Sequence, residues 1–231
     1  MKISKILIIV IVLMVFAENN FSMGESTICG YPGENVRYLI RPFGKSEYND
    51  FGVVSLKGVP VHLVIFRTKI LFLDDTEKIY SDPESFLPYK IERRVSRLWA
   101  KEFITEEYDQ KDFTIITRKF KGKKLVNEQV VKANGPIQNV ILLSLYLRRC
   151  PNFQIGWYFN VRLPDEFKVE LVSIDEVAVP AGKFKTYHFK SIPDKFEIWF
   201  NKDDPRVPIK IQGKGILNYA LLMKKYTLPG H

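Results

Sequence analysis

The sequence predicts a mainly β protein: a curved antiparallel meander or half-open barrel with one buried helix at about residues 136–149. Three observations predict it. Segments rich in β-branched and aromatic residues, many alternating apolar with polar, recur at short intervals along the chain. Turn signals built on Pro, Gly and Asp separate them. One mid-chain run, Asn134–Leu147, departs from the pattern by being apolar nearly all round, as a buried helix is.

The chain starts with a segment that stands apart. Lys2 and Lys5 precede Ile6–Ala17, twelve apolar residues without a charge. A membrane span needs about twenty. A basic start, a short apolar core and small residues at Ala17 or Gly24 describe a secretory signal peptide over residues 1–24. The expectation is an exported chain, destined for the periplasm or cell envelope, with residues 25–231 as one β-rich domain. No Pro/Gly/Ser-rich linker and no repeat period divides that stretch.

Strands are expected at Val36–Ile40, Phe51–Leu56, Val61–Phe66, Ile70–Leu73 and Lys78–Ser81. The next segment reads two ways. Ile91, Val95, Leu98, Trp99 and Phe103 sit at helical spacing, and the same stretch forms two strands turning at Trp99-Ala100-Lys101. Phe113–Arg118 and Leu125–Val131 follow as a hairpin around a lysine-rich tip. The helix has Pro136 near its first position, where the missing N–H costs nothing, and Arg148-Arg149 at the negative end of its dipole. Pro151 stops it. Strands resume at Phe159–Leu163, Phe167–Ile174, Lys183–Lys190, Lys195–Asn201, Val207–Gln212 and Asn218–Tyr226.

The stretch from Val177 to Lys210 carries the most specific wording. Pro180-Ala181-Gly182 makes one turn, Ile192-Pro193-Asp194 a second, and Asp203-Asp204-Pro205 ends the strand that contains Trp199-Phe200. This succession resembles the domain-of-unknown-function 3108 family of exported bacterial proteins, with its V-x-V-P-A-G-x-F turn, W-F strand, polar turn and P-[VI]-[KR]-I strand. Tyr80-Ser81-Asp82-Pro83 with Leu87-Pro88, and Tyr108-Asp109-Gln110, resemble its earlier turns, so the likeness runs from about Gly33 to Tyr226. The resemblance implies strands rather than a helix at 91–104, and it brings no agreed activity. In outline the architecture is also similar to the half-open barrel of lipoprotein carriers, an analogy of fold alone.

Composition narrows the function classes. A hydrophobic fraction of 46% and three tryptophans imply a packed globule. The formal charge of +9 invites nucleic acid, but export argues against that partner. The densest basic run holds Arg118, Lys119, Lys121, Lys123 and Lys124. It reads either as a hairpin tip that blocks edge-to-edge pairing or as a contact for an anionic membrane surface.

No catalytic, cofactor or metal site is expected. His62 and His188 lie in strand-like segments, and His231 is the last residue. No nucleophile or zinc motif accompanies them. The pairs Asp74-Asp75, Glu106-Glu107 and Asp203-Asp204 lie near turns, and neighbours on a strand point to opposite faces. Cys29 and Cys150 read as a disulfide or as two buried free thiols, since two cysteines give no spacing to test. What remains is apolar: Trp99, Phe103, Tyr146, Trp157, Tyr158, Phe159 and Trp199 are candidate lumen residues, with Leu143 on the helix beside them. The reading is a non-enzymatic envelope protein that binds an apolar, lipid-like ligand. The alternative is an interaction or structural module of an envelope assembly, using an edge strand or the basic hairpin.

Overall fold

The computed structural model describes residues 30–150, 153–215 and 218–228. The expected leader, His231 and Cys29 lie outside them, and with Cys29 the Cys29–Cys150 pairing. Fourteen strands form one antiparallel sheet. The first meander holds β1 (Asn35–Arg41), β2 (Lys45–Leu56), β3 (Val59–Ile70), β4 (Leu73–Ser81), β5 (Pro88–Arg97), β6 (Ala100–Asp109), β7 (Thr114–Lys121) and β8 (Lys124–Lys132). The second holds β9 (Tyr158–Arg162), β10 (Glu166–Val179), β11 (Gly182–Ile192), β12 (Phe196–Asn201), β13 (Pro208–Gly213) and β14 (Tyr219–Thr227). A single helix among the described residues, α1 (Leu143–Arg149), links them.

Neighbours in sequence are neighbours in the sheet, with one joint between the meanders. There β1 pairs with β14, from Asn35 opposite Thr227 to Arg41 opposite Ala220. The sheet stays open, and its two edges are β8 and β9. Alternation sets the faces: β1 buries Val36, Tyr38 and Ile40 and exposes the residues between them. The β2–β3 turn is Lys57-Gly58, with φ of 53° and 86°, the left-handed pair that a two-residue hairpin of matching twist requires.

The sheet curls around two contiguous clusters. Val36, Tyr38, Val64, Ile79 and Ile209 meet Leu142 and Leu145 in one. Val169, Leu171, Phe189 and Phe200 meet Leu143 and Leu147 in the other. Residues 30–34 cover one end. Asp50 accepts the Tyr31 N–H at 2.9 Å and the Gly52 N–H at 2.7 Å. Its Oδ1 lies 2.9 Å from His62 Nε2, and both side chains are fully buried. Gly30, at φ 71°, presses on His62 so closely that a Cβ would sit 2.1 Å from the ring. His62 is thus a packing residue beneath the cover, held between Gly30 and the Asp50 carboxylate.

Three sequence expectations change. Ile70–Leu73 is the β3–β4 hairpin rather than a strand, with Leu71 at φ 48°. Residues 91–104 are strands, as the resemblance implies, but they turn at Leu98-Trp99, with Arg97 opposite Ala100. The helix is half the expected length, because Ile137 and Gln138 spend their backbone groups on partners outside it, through side chains that mimic backbone. Gln110 donates to the Ile137 carbonyl at 2.9 Å and accepts its N–H at 3.0 Å. Gln138 accepts the Arg162 N–H at 2.7 Å while its own N–H bonds the Arg162 carbonyl at 2.8 Å. One glutamine ties the linker to the β6–β7 turn and the other to β9.

A buried ion pair fastens the helix. Arg148 Nη1 lies 2.7 Å from Glu34 Oε2, with the two side chains 2% and 0% exposed. Burial works against the Arg148 charge, but Glu34 outweighs it and holds the pKa above the ordinary arginine value. Removing one member strands the charge of the other in a dry site, a loss of about 3–5 kcal/mol. Arg148→Met should therefore lower the urea midpoint strongly, and Glu34→Leu/Arg148→Met should recover part of the loss. A single-variant loss below about 1 kcal/mol would mean that the pair is solvated.

Candidate functional site

Between the curled sheet and the helical linker lies a cavity of about 820 Å³. Pockets that enclose small molecules run from roughly 300 to 1,000 Å³. Its walls are the inner faces just described. Val36, Tyr38, Ile40, Tyr48 and Phe66 form one side, Ile198, Phe200, Ile211 and Leu221 the other, and Ile141 and Ser144 the helical side. Period-two alternation brings these residues together from distant strands. At the end opposite the 30–34 cover, Phe43 and Leu71 belong to the lining and are 58% and 74% exposed, so the cavity opens there between hairpin tips.

Few polar groups face this space. Asp75, Glu77 and Arg93 stand in adjacent register on β4 and β5. Arg93 Nε lies 3.0 Å from each Asp75 oxygen and 3.4 Å from Glu77 Oε1. Burial opposes the Arg93 charge; Asp75, Glu77 and Glu106 outweigh it and raise its pKa. Burial dominates at Glu77 and pushes its carboxyl up to about 7, against the pull of Arg93. Arg148 reaches the cavity from the helix, and the buried Tyr48 hydroxyl has no hydrogen-bond partner among the described residues. The lining therefore offers a long apolar surface with a few hydrogen-bonding groups on it. Among the described residues no group of three or more His, Cys, Asp or Glu side chains is placed to hold a metal.

The expected lumen residues lie elsewhere. Trp99 is 94% exposed at the β5–β6 tip. Phe103 packs against Phe120, ring centroids 6.1 Å apart, on the sheet face opposite Arg93. Leu143 is fully buried in the second cluster, Trp157 and Phe159 pack at its margin, and Tyr146 packs edge-on against Phe86. Tyr158 is exposed on β9 under the Lys168 ammonium. Trp199 belongs to the other face, because its neighbours Ile198 and Phe200 face in. There it stacks on His188 at 4.1 Å with Lys210 above its ring, one row across β11, β12 and β13. His188 Nε2 meets Glu197 Oε2 at 2.7 Å. Its Nδ1 lies 3.0 Å from Asp175 and 3.1 Å from Ser173, so Asp175 competes with the hydroxyl for that nitrogen. The arrangement ties four strands together and faces away from the cavity.

In the basic run, Arg118 bridges Glu107 at 2.7 Å and Glu128 at 2.6 Å, and Lys119 meets Glu102 at 2.9 Å. Lys121, Lys123 and Lys124 remain exposed at the hairpin tip. Sequence reasoning missed Tyr48, Glu77, Arg93, Ile198 and Phe200. For the last two a signal existed, in the alternation of Glu197-Ile198-Trp199-Phe200.

The raised Glu77 pKa has a consequence for stability. The folded chain holds this proton to higher pH than the unfolded one, so between about pH 4.5 and 7 folding binds protons and stability falls as pH rises. The fall is at most about 3 kcal/mol. Glu77→Gln should flatten that slope in urea titrations across the window. An unchanged slope would mean that the carboxyl is ionised throughout.

The family described as protein of unknown function (DUF3108) matches residues 57–216. No curated protein and no solved structure matches the chain.

Proposed function

The chain belongs to the DUF3108 family, and from that premise we propose that it is an exported, non-enzymatic envelope protein that holds an apolar, lipid-like ligand in the cavity between its sheet and helix. The observation that carries the reading is the cavity itself: about 820 Å³, walled by apolar side chains and open at one end. A packed interior normally leaves few voids larger than a water molecule. Burying an apolar ligand there is favourable by about 25 cal/mol per Å² of surface removed from water. The Tyr48 hydroxyl, Ser144 and Arg148 give a ligand's polar end groups to meet inside. Export is argued from the first 24 residues and their basic, apolar and small-residue order.

A second reading, an interaction module, draws on β8. All nine of its residues are exposed and one of its edges is free. Such an edge is a template for an added strand.

Native mass spectrometry of the purified chain, followed by organic extraction, tests the first reading. We expect a co-purified or back-loaded apolar molecule near one per chain. Ser144→Trp, which projects a large side chain from the helix into the cavity, should reduce capture by roughly tenfold or more while the melting transition stays in place. A clean apo mass after incubation with envelope lipids would reject this reading. Capture unchanged in Ser144→Trp would reject this site.

A further inference from the structure

The cavity's open end carries a feature that ligand capture alone does not require. Antiparallel strands place alternate turns at one end of the sheet, and the register keeps these turns level. A single cross-strand row runs Lys45, Lys69, Asp74, Ser96, Lys101 across β2 to β6. Three hairpin tips rise beyond that row, two strand spacings or about 10 Å apart. They present Phe43, then Leu71 and Phe72, then Leu98 and Trp99 to solvent, each between 57% and 94% exposed. Large apolar side chains scattered singly over a surface need no explanation, but a level line of them along one rim does.

The unpaired charges that flank these tips have one sign. The rim's acids are already neutralised: Asp74 by Arg67 at 2.6 Å and Lys69 at 3.3 Å, Glu102 by Lys119 at 2.9 Å. Arg41, Lys45, Arg97, Lys101, Lys121 and Lys123 form no ion pair among the described residues and flank the same tips and the next one. Aromatic and leucine side chains on the outermost turns, with unpaired cations around them, are what an anionic lipid interface attracts. The rings enter the headgroup boundary and the cations stay with the phosphates. The rim is also continuous with the cavity, since Phe43 and Leu71 belong to both.

We infer that these three tips form a docking rim that seats the open end of the sheet on an anionic lipid bilayer, facing the cavity mouth towards the acyl chains. The docking stands on the rim; only its purpose, loading or unloading the cavity from the bilayer, rests on the function proposed above.

The test is co-sedimentation of the purified full chain with vesicles of phosphatidylethanolamine and phosphatidylglycerol, compared with vesicles of phosphatidylcholine. Every variant is made on the same background, so any contribution of residues 1–24 is common to all. Phe72→Ser/Leu98→Ser/Trp99→Ser alters exposed residues outside the cavity lining. We expect it to weaken binding to anionic vesicles by roughly tenfold or more, with the melting transition unmoved. Arg97→Ser/Lys101→Ser should weaken anionic binding by roughly tenfold and leave phosphatidylcholine unaffected. Trp99 emission should shift to the blue on anionic vesicles and be quenched by bromine on the acyl chains, a signal absent in Trp99→Ser. Failure of the wild type to sediment, binding retained in both variants, or a bound state with unchanged Trp99 emission would overturn the inference. Docking without capture of any apolar molecule would reject the cavity reading and leave the rim standing; capture without docking would do the reverse.

Discussion

The buried pair between Glu34 and Arg148 is the interaction on which the rest of the interior depends. An uncompensated guanidinium in that position would be expelled, and the helix with it. With Glu34 at 2.7 Å the helix is fixed over the gap in the curled sheet instead. Glu34 belongs to the short cover that also meets Asp50, and through Asp50 it meets His62. One electrostatic contact, made across 114 residues of chain, thereby positions both the helical wall of the cavity and the lid at its closed end.

That arrangement explains why the sheet encloses space without closing. A barrel abolishes its edges by pairing first strand with last. Here first and last do pair, but in the middle of the sheet, so the edges fall on β8 and β9. The linker between them does not complete the ladder; it is tied to each side by one glutamine. Leu142, Leu143, Leu145 and Leu147 fill part of the interior between the two meanders. The helix is only seven residues long, and the space beyond Ser144 stays open.

The sheet was legible in the sequence because period-two alternation and turn residues are local signals. Adjacent acids on opposite faces were legible for the same reason: Asp74 pairs with surface cations while Asp75 lines the cavity. Which aromatics face inward was not, because one residue of phase reverses a strand's faces. Trp199 was expected in the lumen, yet it stands one residue out of phase with Ile198 and Phe200, which face in. Trp99 was expected there too, although the two-strand reading already placed it in a turn, and that turn carries it to the rim. The non-helical start of the linker depends on Gln110, far away in sequence, so no local pattern announces it. Arg148 looked like a dipole partner at a helix end; its ion pair with Glu34 is a tertiary fact.

The joint between β1 and β14 also sets an order of events. Asn35 is among the first described residues to be synthesised, and its partner Thr227 is among the last. Until that late strand arrives, both meanders have an unpaired inner edge and the lid residues have no finished interior to cover. Closing so long a loop carries an entropic cost that local hairpins do not. The chain is thus unable to reach its native interior before β14 is made, which is compatible with the export proposed above. It also means that loss of the final strand would bare two inner edges at once, turning a protein with managed margins into an aggregation template.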